Sequence, residues 1–509
     1  MRGPHNLWPL LRVVATLERT GAMGLVLSSL DAPPSVRLLA HVLGYPLQWL
    51  GYKGDPSLPP AARALVAMGP AYIKFGQMLS TRPDVVGKDL VQQLRLLQDK
   101  LPPFSASDAR AVIRRELGVE IEDVFSDFSE PIAAASIAQV HKARLKRSGD
   151  YVAIKVLRPN IERAFRKDVD SFYFGAALIE FVAPFSRRLR PRDVIRHFDG
   201  VVQGELDLRL ESAAAAQFSS NTRKDEGFQL PTVFWHLSSR RVMTLAWVDG
   251  ETLGDNAALD AAGHDRQVLA ERLLRLFLKH AFRDGYFHAD MHQGNLKVAP
   301  NGDIVAYDFG VMGHIDEYTR RVYAEILYGF IRRDYKRVAA VHFEAGYVSA
   351  NKDMDEFARA LRAVGEPIFG MDATQISMGN VLAYLFEVTE RFEMVTRTEL
   401  ILLQRTMVVV EGVARSVYPQ LNIWEAAKPV VEDYIKVSIG PRAILRDFGK
   451  TLQVISRFGP RVPKLVETAL IRQNEIENQP RKVDWLLYFL VCLIGFLGGV
   501  LGTVFFVVF

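Results

Sequence analysis

Two aspartates and one asparagine in the second half of the chain have the spacing of a phosphoryl-transfer site. Asp290 precedes Asn295 by five residues, and Asp308 begins an Asp-Phe-Gly tripeptide thirteen residues after Asn295. In kinases an aspartate at the first position accepts the proton of the attacking hydroxyl, whereas the asparagine and the second aspartate hold Mg²⁺. We therefore predict Asp290 as the catalytic residue and Asn295 and Asp308 as metal ligands.

A lysine upstream supplies the positive charge that such a site needs for a nucleotide. Lys155 ends the run Val152-Ala153-Ile154-Lys155, which is typical of the kinase strand whose lysine binds the α- and β-phosphates. The chain contains no Gly-x-x-x-x-Gly-Lys-[Ser/Thr] motif, and this excludes a P-loop nucleotide site. The predicted cofactors are ATP or ADP, together with Mg²⁺.

An alanine-rich segment stands where a kinase has its glycine-rich loop. Alanine is small enough for a close approach to phosphates, but its Cβ atom restricts the backbone angles that glycine allows. We expect a stiffer loop that binds nucleotide differently and hinders transfer to bulky protein substrates. The predicted nucleotide-binding residues of this segment are Ile132, Ala133, Ala134, Ala135, Ser136, Ile137, Ala138, Gln139 and Val140.

Turn signals and periodicity predict the elements that position these residues. Residues 151–156 are typical of a strand, and two short runs around Pro300-Asn301-Gly302-Asp303 predict a hairpin between Asn295 and Asp308. Most of the remaining chain has helical patterns, so the fold class is α+β. The predicted domains are N-terminal helices at 1–60, a helical extension at 61–118, a small lobe at 119–248, a large lobe at 249–430, juxtamembrane helices at 431–484 and a membrane anchor at 485–509.

Residues 485–509 contain 25 positions without a charged side chain. A helix rises about 1.5 Å per residue, so this segment is long enough to cross a bilayer. Arg481 and Lys482 precede it and favour a cytoplasmic position for that end. We expect a single-pass C-terminal transmembrane helix in the cell inner membrane, with the catalytic body on the cytoplasmic side. Gly495 and Gly499 are spaced so that two such helices can approach closely, which makes a homodimer a hypothesis.

Composition limits the remaining classes of function. The hydrophobic and charged fractions, 49% and 24%, are those of a globular protein. The net charge of +5 is too small to indicate a nucleic-acid-binding protein. Cys492 is the single cysteine of the sequence, so neither an internal disulfide nor a cysteine-based metal site is available.

Several longer stretches resemble the UbiB-type atypical kinase-like family over nearly the whole chain. They are residues 71–84, 97–100, the alanine-rich segment, residues 287–290 and residues 402–421. The resemblance implies a two-lobed protein-kinase-like fold with an added N-terminal helical extension. It also implies nucleotide binding and a role that supports ubiquinone (coenzyme Q) biosynthesis at a membrane.

The resemblance assigns further residues to family motifs. Lys74 and Gln77 resemble a signature that lies over the active site, where a kinase would bind its peptide substrate. Residues 243–248 resemble the hinge that holds adenine through backbone groups, and Ala246 stands there where relatives often have a glutamate.

An acidic segment upstream of the hinge also matches the family. Glu205 and Asp207 resemble a paired acidic motif, and Glu211 is our choice for the carboxylate that pairs with Lys155. Residues 205–211 alternate like a strand, whereas the resemblance and the following alanine run favour a helix. In a helix, Asp207 and Glu211 would share a face and Glu205 would lie elsewhere.

Three functions follow from these observations. The first is a kinase or ATPase whose phosphoryl acceptor the sequence does not identify. It would mobilise polyprenylphenol or quinone precursors, and its partners would be membrane lipid and other ubiquinone-biosynthesis enzymes. The second is a non-catalytic, nucleotide-gated module that presents lipids to other enzymes. The third is a ring hydroxylase of the ubiquinone pathway, with iron held by His288, Asp290 and His292.

Overall fold

The computed structural model describes residues 6–29, 32–80, 86–97, 102–182, 190–370, 388, 391–394 and 398–439. The chain divides into two units, residues 1–435 and 436–509. Only residues 436–439 of the second unit are described, as the end of a helix. All the packing below lies within the first unit.

The N-terminal extension is helical. Gly76 allows two leucines to pack directly on its helix, because a Cβ atom at this position would lie 2.4 Å from Leu97 Cδ1 and 2.5 Å from Leu65 Cδ1. The helices are α1 (Leu7–Thr20), α2 (Met23–Ser29), α3 (Pro34–Gly44), α4 (Pro60–Met68), α5 (Pro70–Leu79) and α6 (Lys88–Leu94), with a 3₁₀ helix at Tyr45–Leu50 after α3.

An antiparallel sheet carries Lys155. Helices α7 (Ala106–Leu117) and α8 (Ile121–Val124) precede its strands β1 (Phe125–Ala134), β2 (Ala138–Leu145), β3 (Tyr151–Leu157) and β5 (Val242–Ala246), which lie in the order β1-β2-β3-β5. Successive side chains of a strand point to opposite faces. Val152, Ile154 and Val156 are fully buried in the core beneath the sheet. Lys155 and Ala153 therefore face the opposite side, where a cleft opens.

Three helices connect β3 to the rest of the sheet: α9 (Ile161–Val182), α10 (Pro191–Glu205) and α11 (Leu208–Thr222). The acidic segment is neither a strand nor one continuous helix, because α10 ends at Glu205 and α11 begins after Asp207. The Asp207 side chain caps α11 by accepting the Arg209 N–H at 3.1 Å. Aromatic contacts attach the extension here, since the Phe75 ring of α5 lies 5.2 Å from Phe198 of α10.

The large lobe contains the predicted hairpin between β8 (Leu296–Val298) and β9 (Ile304–Ala306). Two short strands extend this sheet, β4 (Phe228–Gln229) beside β9 and β6 (Glu251–Thr252) beside β8, and β7 (Tyr286–His288) pairs with β10 (Met312–His314). The helices are α12 (Asn256–Ala261), α13 (Arg266–Lys279), α14 (Glu317–Ile331), α15 (Tyr335–Glu344), α16 (Met354–Gly370), α17 (Thr398–Val417) and α18 (Ile423–Ile439). A π-helical turn, His280–Asp284, follows α13.

A buried cluster of charges joins the segment after α11 to the end of α13. The carboxylate of Asp225 is inaccessible to solvent and lies 2.6 Å from Lys279 Nζ, 2.6 Å from Arg283 Nη1 and 3.1 Å from His280 Nε2. Burial alone would raise the pKa of Asp225, but these three partners hold its pKa below the ordinary value. The cluster therefore fixes a charged side chain inside the lobe.

Within the described ranges, none of the helices combines the length and the apolar character needed to cross a bilayer. The predicted anchor at 485–509, with Gly495 and Gly499, lies outside those ranges.

Candidate active site

A cleft of about 640 Å³ lies between the four-stranded sheet and the large lobe. Its volume is in the range of small-molecule sites, roughly 300–1,000 Å³. Most of the predicted site residues line it: Lys74, Ile132, Ala133, Ala134, Ala135, Ile137, Ala138, Val140, Lys155, Glu205, Glu211, Asp290, Asn295 and Asp308. Four predicted residues are not among the lining residues, namely Gln77, Ser136, Gln139 and Asp207.

Lys155 is held between two carboxylates at the inner end of the cleft. Its Nζ donates to Glu211 Oε1 at 2.7 Å and to Oε2 at 2.9 Å, and lies 3.5 Å from Asp308 Oδ2. Burial alone would lower the pKa of Lys155, but Asp308 and Glu211 outweigh it and hold the pKa above its ordinary value. The expected pairing of Lys155 with Glu211 is present, and β3 and the first turn of α11 position the two side chains.

The two carboxylates respond differently to this environment. Burial would raise the pKa of Asp308, but the Lys155 charge and the Gly310 N–H, which donates at 3.0 Å, hold it at about 2. Burial raises the pKa of Glu211, an effect that Lys155 opposes and the charge of Asp308 reinforces. Two carboxylates sharing one ammonium leave an excess of negative charge at this end of the cleft.

Asp290 and Asn295 stand together on the large-lobe wall. Asn295 Nδ2 donates to the Asp290 backbone oxygen at 3.0 Å and to Asp290 Oδ2 at 3.3 Å. The Asp290 carboxylate is about half exposed to the cleft, at 49%. Two adjacent elements place these residues: β7 ends at His288 just before Asp290, and a 3₁₀ turn at Gln293–Asn295 leads into β8.

His288 supports this loop from within the core. It is 1% exposed, and its Nδ1 accepts the Asp290 backbone N–H at 3.1 Å. Burial lowers its pKa, which keeps the ring neutral with the proton on Nε2. His292 Nδ1 likewise accepts the Gly294 N–H at 3.0 Å. Both rings thus use a nitrogen to shape the backbone, an arrangement that does not fit the iron ligand set of the hydroxylase hypothesis.

The oxygen atoms of the site fit Mg²⁺. Asn295 turns its amide nitrogen to Asp290, which leaves its amide oxygen on the other side of the group, and Asp308 adds a carboxylate. Carboxylate and amide oxygens are ligands that Mg²⁺ prefers, usually one or two from the protein with waters and substrate phosphates. In the part of the chain that the structure describes, no group of three or more His, Cys, Asp or Glu residues is placed to hold a metal.

The alanine-rich segment forms the turn from β1 to β2 and is tied to the end of β3. The Ala135 N–H donates to the Ala138 oxygen at 2.8 Å, and Arg158 donates to the Ala135 oxygen from Nε at 3.1 Å and Nη2 at 2.9 Å. The Arg158 N–H also donates to the Ile137 oxygen at 2.8 Å. These bonds join the turn between β1 and β2 to the residue that follows β3. A stiff loop, as expected from the sequence, would be consistent with them.

Gln139 faces away from the cleft. Its side chain is buried and clamps Phe104, whose N–H donates to Oε1 at 2.9 Å and whose oxygen accepts from Nε2 at 3.2 Å. The alternation of a strand explains this placement, since Ala138 and Val140 on either side line the cleft. Ser136 is also fully buried.

The extension reaches the cleft through one residue of its motif. Lys74 Nζ lies 2.9 Å from Glu205 Oε1, and both side chains line the cleft. Gln77 instead turns back within the extension, where its Nε2 donates to the Leu97 oxygen at 3.4 Å. In one continuous helix Asp207 and Glu211 would share a face, but the helix is broken between Glu205 and Leu208. Glu205 and Glu211 both line the cleft, and Asp207 is paired with Arg209.

The hinge end of the cleft contains Trp247, which belongs to the predicted hinge, and Lys297, which the sequence did not single out. Trp247 and Lys297 line it, and Lys297 Nζ donates to the Val248 oxygen at 3.2 Å. Lys142 Nζ lies 4.3 Å from the centre of the Trp247 ring, within cation–π range. Lys297 lies two residues after Asn295, at the start of a strand. Because alternate side chains of a strand share a face, this spacing predicts that Lys297 lies on the same side as Asn295.

Helix α17 contacts the loop that carries Asp290. The Thr406 side chain is 1% exposed, and its hydroxyl donates to the Ala289 oxygen at 3.2 Å and to the Leu402 oxygen at 2.8 Å. Ala289 directly precedes Asp290. The backbone of the catalytic loop is therefore bonded to a helix more than a hundred residues later in the chain.

Comparisons with known proteins identify the family of the chain. The ABC1 atypical kinase-like domain matches residues 96–342, and the UbiB helical domain matches residues 361–422. A probable protein kinase UbiB from Shewanella piezotolerans is 39% identical over 409 residues, which are 79% of this chain and 74% of that protein. The chain belongs to the UbiB family. Family membership implies a kinase-like fold of mixed helix and sheet and a role in ubiquinone biosynthesis.

A second relative and one solved structure are also similar to the chain. The probable protein kinase UbiB from Aeromonas hydrophila is 40% identical to this UbiB-family chain over 426 residues, 83% of this chain and 78% of that protein. Among solved structures, a complex of Rv3197 with erythromycin from Mycobacterium tuberculosis matches with a TM-score of 0.49 and 23% identity, covering 70% of this chain and 90% of that one.

Proposed function

We propose that the chain is an ATP-binding kinase or ATPase, dependent on Mg²⁺, that supports ubiquinone biosynthesis at the cytoplasmic face of the cell inner membrane. The observation that carries the proposal is the Lys155 arrangement, with Glu211 at 2.7 Å and Asp308 at 3.5 Å on a cleft of about 640 Å³. A structural ion pair needs one partner for the lysine. A second carboxylate beside the same lysine leaves negative charge in the cleft, which a bound Mg²⁺ would neutralise.

The nucleotide would lie along the cleft in one direction. Its base fits the hinge end, which Leu245, Ala246, Trp247 and Val248 line with backbone and apolar groups. Its phosphates fit the end at Lys155, where an ammonium held by Glu211 is already aimed into the cleft. Fixed positive charge at developing phosphate charge is the main contribution of a protein to phosphoryl transfer.

Asp290 is placed to act on the nucleophile. Its carboxylate is half exposed, and Asn295 fixes its orientation through a bond to Oδ2. It would accept the proton of a water or a small hydroxyl as that oxygen attacks. When bound at Asn295 and Asp308, Mg²⁺ would neutralise phosphate charge. The residues of this chain then hold the nucleotide, orient the nucleophile and take up its proton.

The accessory helices favour a small or lipid acceptor over a protein. Lys74 and Glu205 meet at 2.9 Å on the cleft wall, where a peptide substrate would otherwise enter. We infer that ATP turnover is coupled to mobilising a polyprenylphenol intermediate, with membrane lipid and other enzymes of the pathway as partners. A helix at 485–509 would keep the body at the bilayer.

A test measures Mg²⁺-dependent ATP turnover by the full chain in vesicles, with and without a phenol-bearing polyprenyl lipid. Asp290→Asn should abolish turnover, and Asp308→Asn should lower turnover and raise the Mg²⁺ concentration that it needs. Asp127→Asn, an exposed carboxylate on β1, is the matched control and should behave like the unaltered chain. Turnover that survives Asp290→Asn unchanged would contradict the assignment of the base.

A non-catalytic presenting module is the second candidate, and the Lys74–Glu205 pair over the cleft favours it. The same experiment separates the two functions. Nucleotide that binds tightly but is not hydrolysed, with or without lipid, would support the presenting module. In that case Asp290→Asn should leave the affinity for nucleotide unchanged.

A further inference from the structure

The segment after α2 exposes an unusual share of its apolar side chains. In α3 and the 3₁₀ helix that follows, none of the described side chains is buried. Large apolar side chains stand in solvent instead: Leu38 is 66% exposed, Leu39 57%, Val42 56%, Tyr45 63% and Trp49 75%. We refer to these five residues as the apolar strip.

Part of the strip has the spacing of one helical face. Leu38, Val42 and Tyr45 follow one another at intervals of four and three residues, which places side chains on the same side of an α-helix. Leu39 is adjacent to Leu38, and Trp49 follows in the 3₁₀ helix. Soluble proteins rarely leave such a contiguous apolar surface uncovered, and large exposed patches mark sites of contact with protein or membrane. The strip therefore indicates a docking surface.

Within the strip's own segment the formal charges are of one sign, and the next carboxylates along the chain are Asp31 and Asp55 on either side. No Asp or Glu occurs between Ala32 and Gly54, whereas Arg37 and Lys53 lie within that range. The nearest carboxylate of α1, Glu18, is only 3% exposed and is paired with His41. The rim of the strip thus presents cations to whatever covers the apolar side chains.

Two physical arguments favour a lipid surface over a second copy of the chain. In a two-fold dimer the same patch meets itself, so the cations of one rim would face those of the other. Anionic headgroups instead supply the opposite charge to basic residues near the surface. Trp and Tyr are also the residues enriched at the boundary between headgroups and acyl chains, and the strip contains Tyr45 and Trp49.

The strip is rigidly attached to the body of the protein. The residue after the 3₁₀ helix, Gly51, packs so closely on α1 that a Cβ atom there would lie 2.4 Å from the Ala15 oxygen. At the other end of α1, the Ser171 hydroxyl of α9 donates to Asn6 Oδ1 at 3.1 Å. A membrane contact at the strip would therefore orient the helical extension as one piece.

We propose that Leu38, Leu39, Val42, Tyr45 and Trp49 insert into the interface of a bilayer that contains anionic lipids, with Arg37 and Lys53 at the headgroups. This contact is additional to the helix expected at 485–509 and does not depend on nucleotide binding or turnover. It gives the N-terminal extension its own attachment to the membrane.

Site-directed spin labels on the full chain test the proposal. In a C492S background, one chain carries the label at V42C in the strip and a matched chain carries it at V268C on α13, where valine is also exposed, at 46%. Both are reconstituted into vesicles of phosphatidylglycerol with phosphatidylcholine, or of phosphatidylcholine alone. The collision rates of the label with oxygen and with an aqueous nickel chelate report whether it lies in lipid or in water.

We expect the label at position 42 to meet oxygen rather than nickel in anionic vesicles, and the label at 268 to remain aqueous. L39Q with W49Q should return the label at 42 to water while the chain stays with the vesicles. An aqueous label at 42 in anionic vesicles overturns the proposal. Dipolar broadening between labels would show a second copy of the chain on the strip and would also overturn the proposal. Shielding of the label from both reagents would show that another segment of the chain covers the strip, with the same consequence.

Discussion

Replacing each carboxylate beside Lys155 by its amide separates a structural partner from a functional one. Glu211→Gln and Asp308→Asn remove the same charge with almost no change in shape. Glu211 is 10% exposed and accepts from Lys155 at 2.7 and 2.9 Å, whereas Asp308 is 43% exposed and lies 3.5 Å from it. Glu211→Gln should therefore mainly lower folding stability, whereas Asp308→Asn should mainly weaken ligand binding.

The magnitudes follow from burial and geometry. Losing a buried partner that accepts two short bonds from an ammonium costs ~2 kcal/mol of folding free energy, so Glu211→Gln should be clearly destabilising. Asp308→Asn removes a longer, partly solvated contact worth at most ~0.5 kcal/mol, and it also relieves repulsion with Glu211. The same change should weaken nucleotide binding in the presence of Mg²⁺ by ~2 kcal/mol, about 30-fold.

Two measurements on the full chain check this expectation. Urea unfolding without nucleotide gives the order of stabilities, and titration with a fluorescent nucleotide, with and without Mg²⁺, gives the order of affinities. Asp127→Asn serves again as the control for a lost surface charge. An Asp308→Asn chain that unfolds as early as Glu211→Gln, or that keeps the full effect of Mg²⁺ on affinity, would refute the reasoning.

Three other changes have defined outcomes. Lys74→Met removes the ion pair with Glu205, worth ~1 kcal/mol at partial exposure, and should raise ATP turnover without lipid about fivefold in a steady-state assay; unchanged turnover would show that the pair does not restrict the cleft. Asp225→Asn removes a buried carboxylate whose cationic partners Lys279 and Arg283 are 41% and 37% exposed, so it should cost ~1–2 kcal/mol in urea unfolding; a loss no larger than that of a surface charge would contradict this account. Burial lowers the pKa of His342 to about 4, so the unfolded chain takes up its proton first as pH falls below the ordinary value of about 6.5. Folding stability should then decline towards pH 4 by up to ~3 kcal/mol, and a urea midpoint for His342→Gln with the same pH slope as the unaltered chain would contradict this.

Order and spacing along the chain were enough to predict which residues lie together in the cleft. Lys155, Asp290, Asn295 and Asp308 lie on one cleft, because short strands and a hairpin set their distances. These local elements have strong turn and alternation signals. The pairing of Lys155 with Glu211, which joins residues 56 positions apart, came from the family resemblance and not from local pattern.

Side-chain direction was harder to predict than position. The alanine-rich segment was predicted as one nucleotide-binding run, but it is a strand edge and turn, so Gln139 points to the opposite face. In one continuous helix Asp207 would share a face with Glu211, but it caps a helix that begins after it. The break between the two helices is only two residues long, Leu206 and Asp207. Such a short break does not change the periodicity of the sequence, so the pattern does not predict it. The contact of Lys297 with the Val248 oxygen depends on how two strands meet and is not visible in either segment alone.

The bond from Thr406 to the Ala289 oxygen bears on where this protein can be cut. The kinase-like match ends at residue 342, and a chain shortened there would keep every residue assigned to chemistry. It would also lose the donor that holds the peptide unit just ahead of Asp290, together with the apolar side chains of α17 in the core of the large lobe. The described residues of the helical region that follows the kinase-like match thus support the loop that carries Asp290 without lining the cleft themselves. Activity measured on a shortened chain would report on a loop that lacks this support.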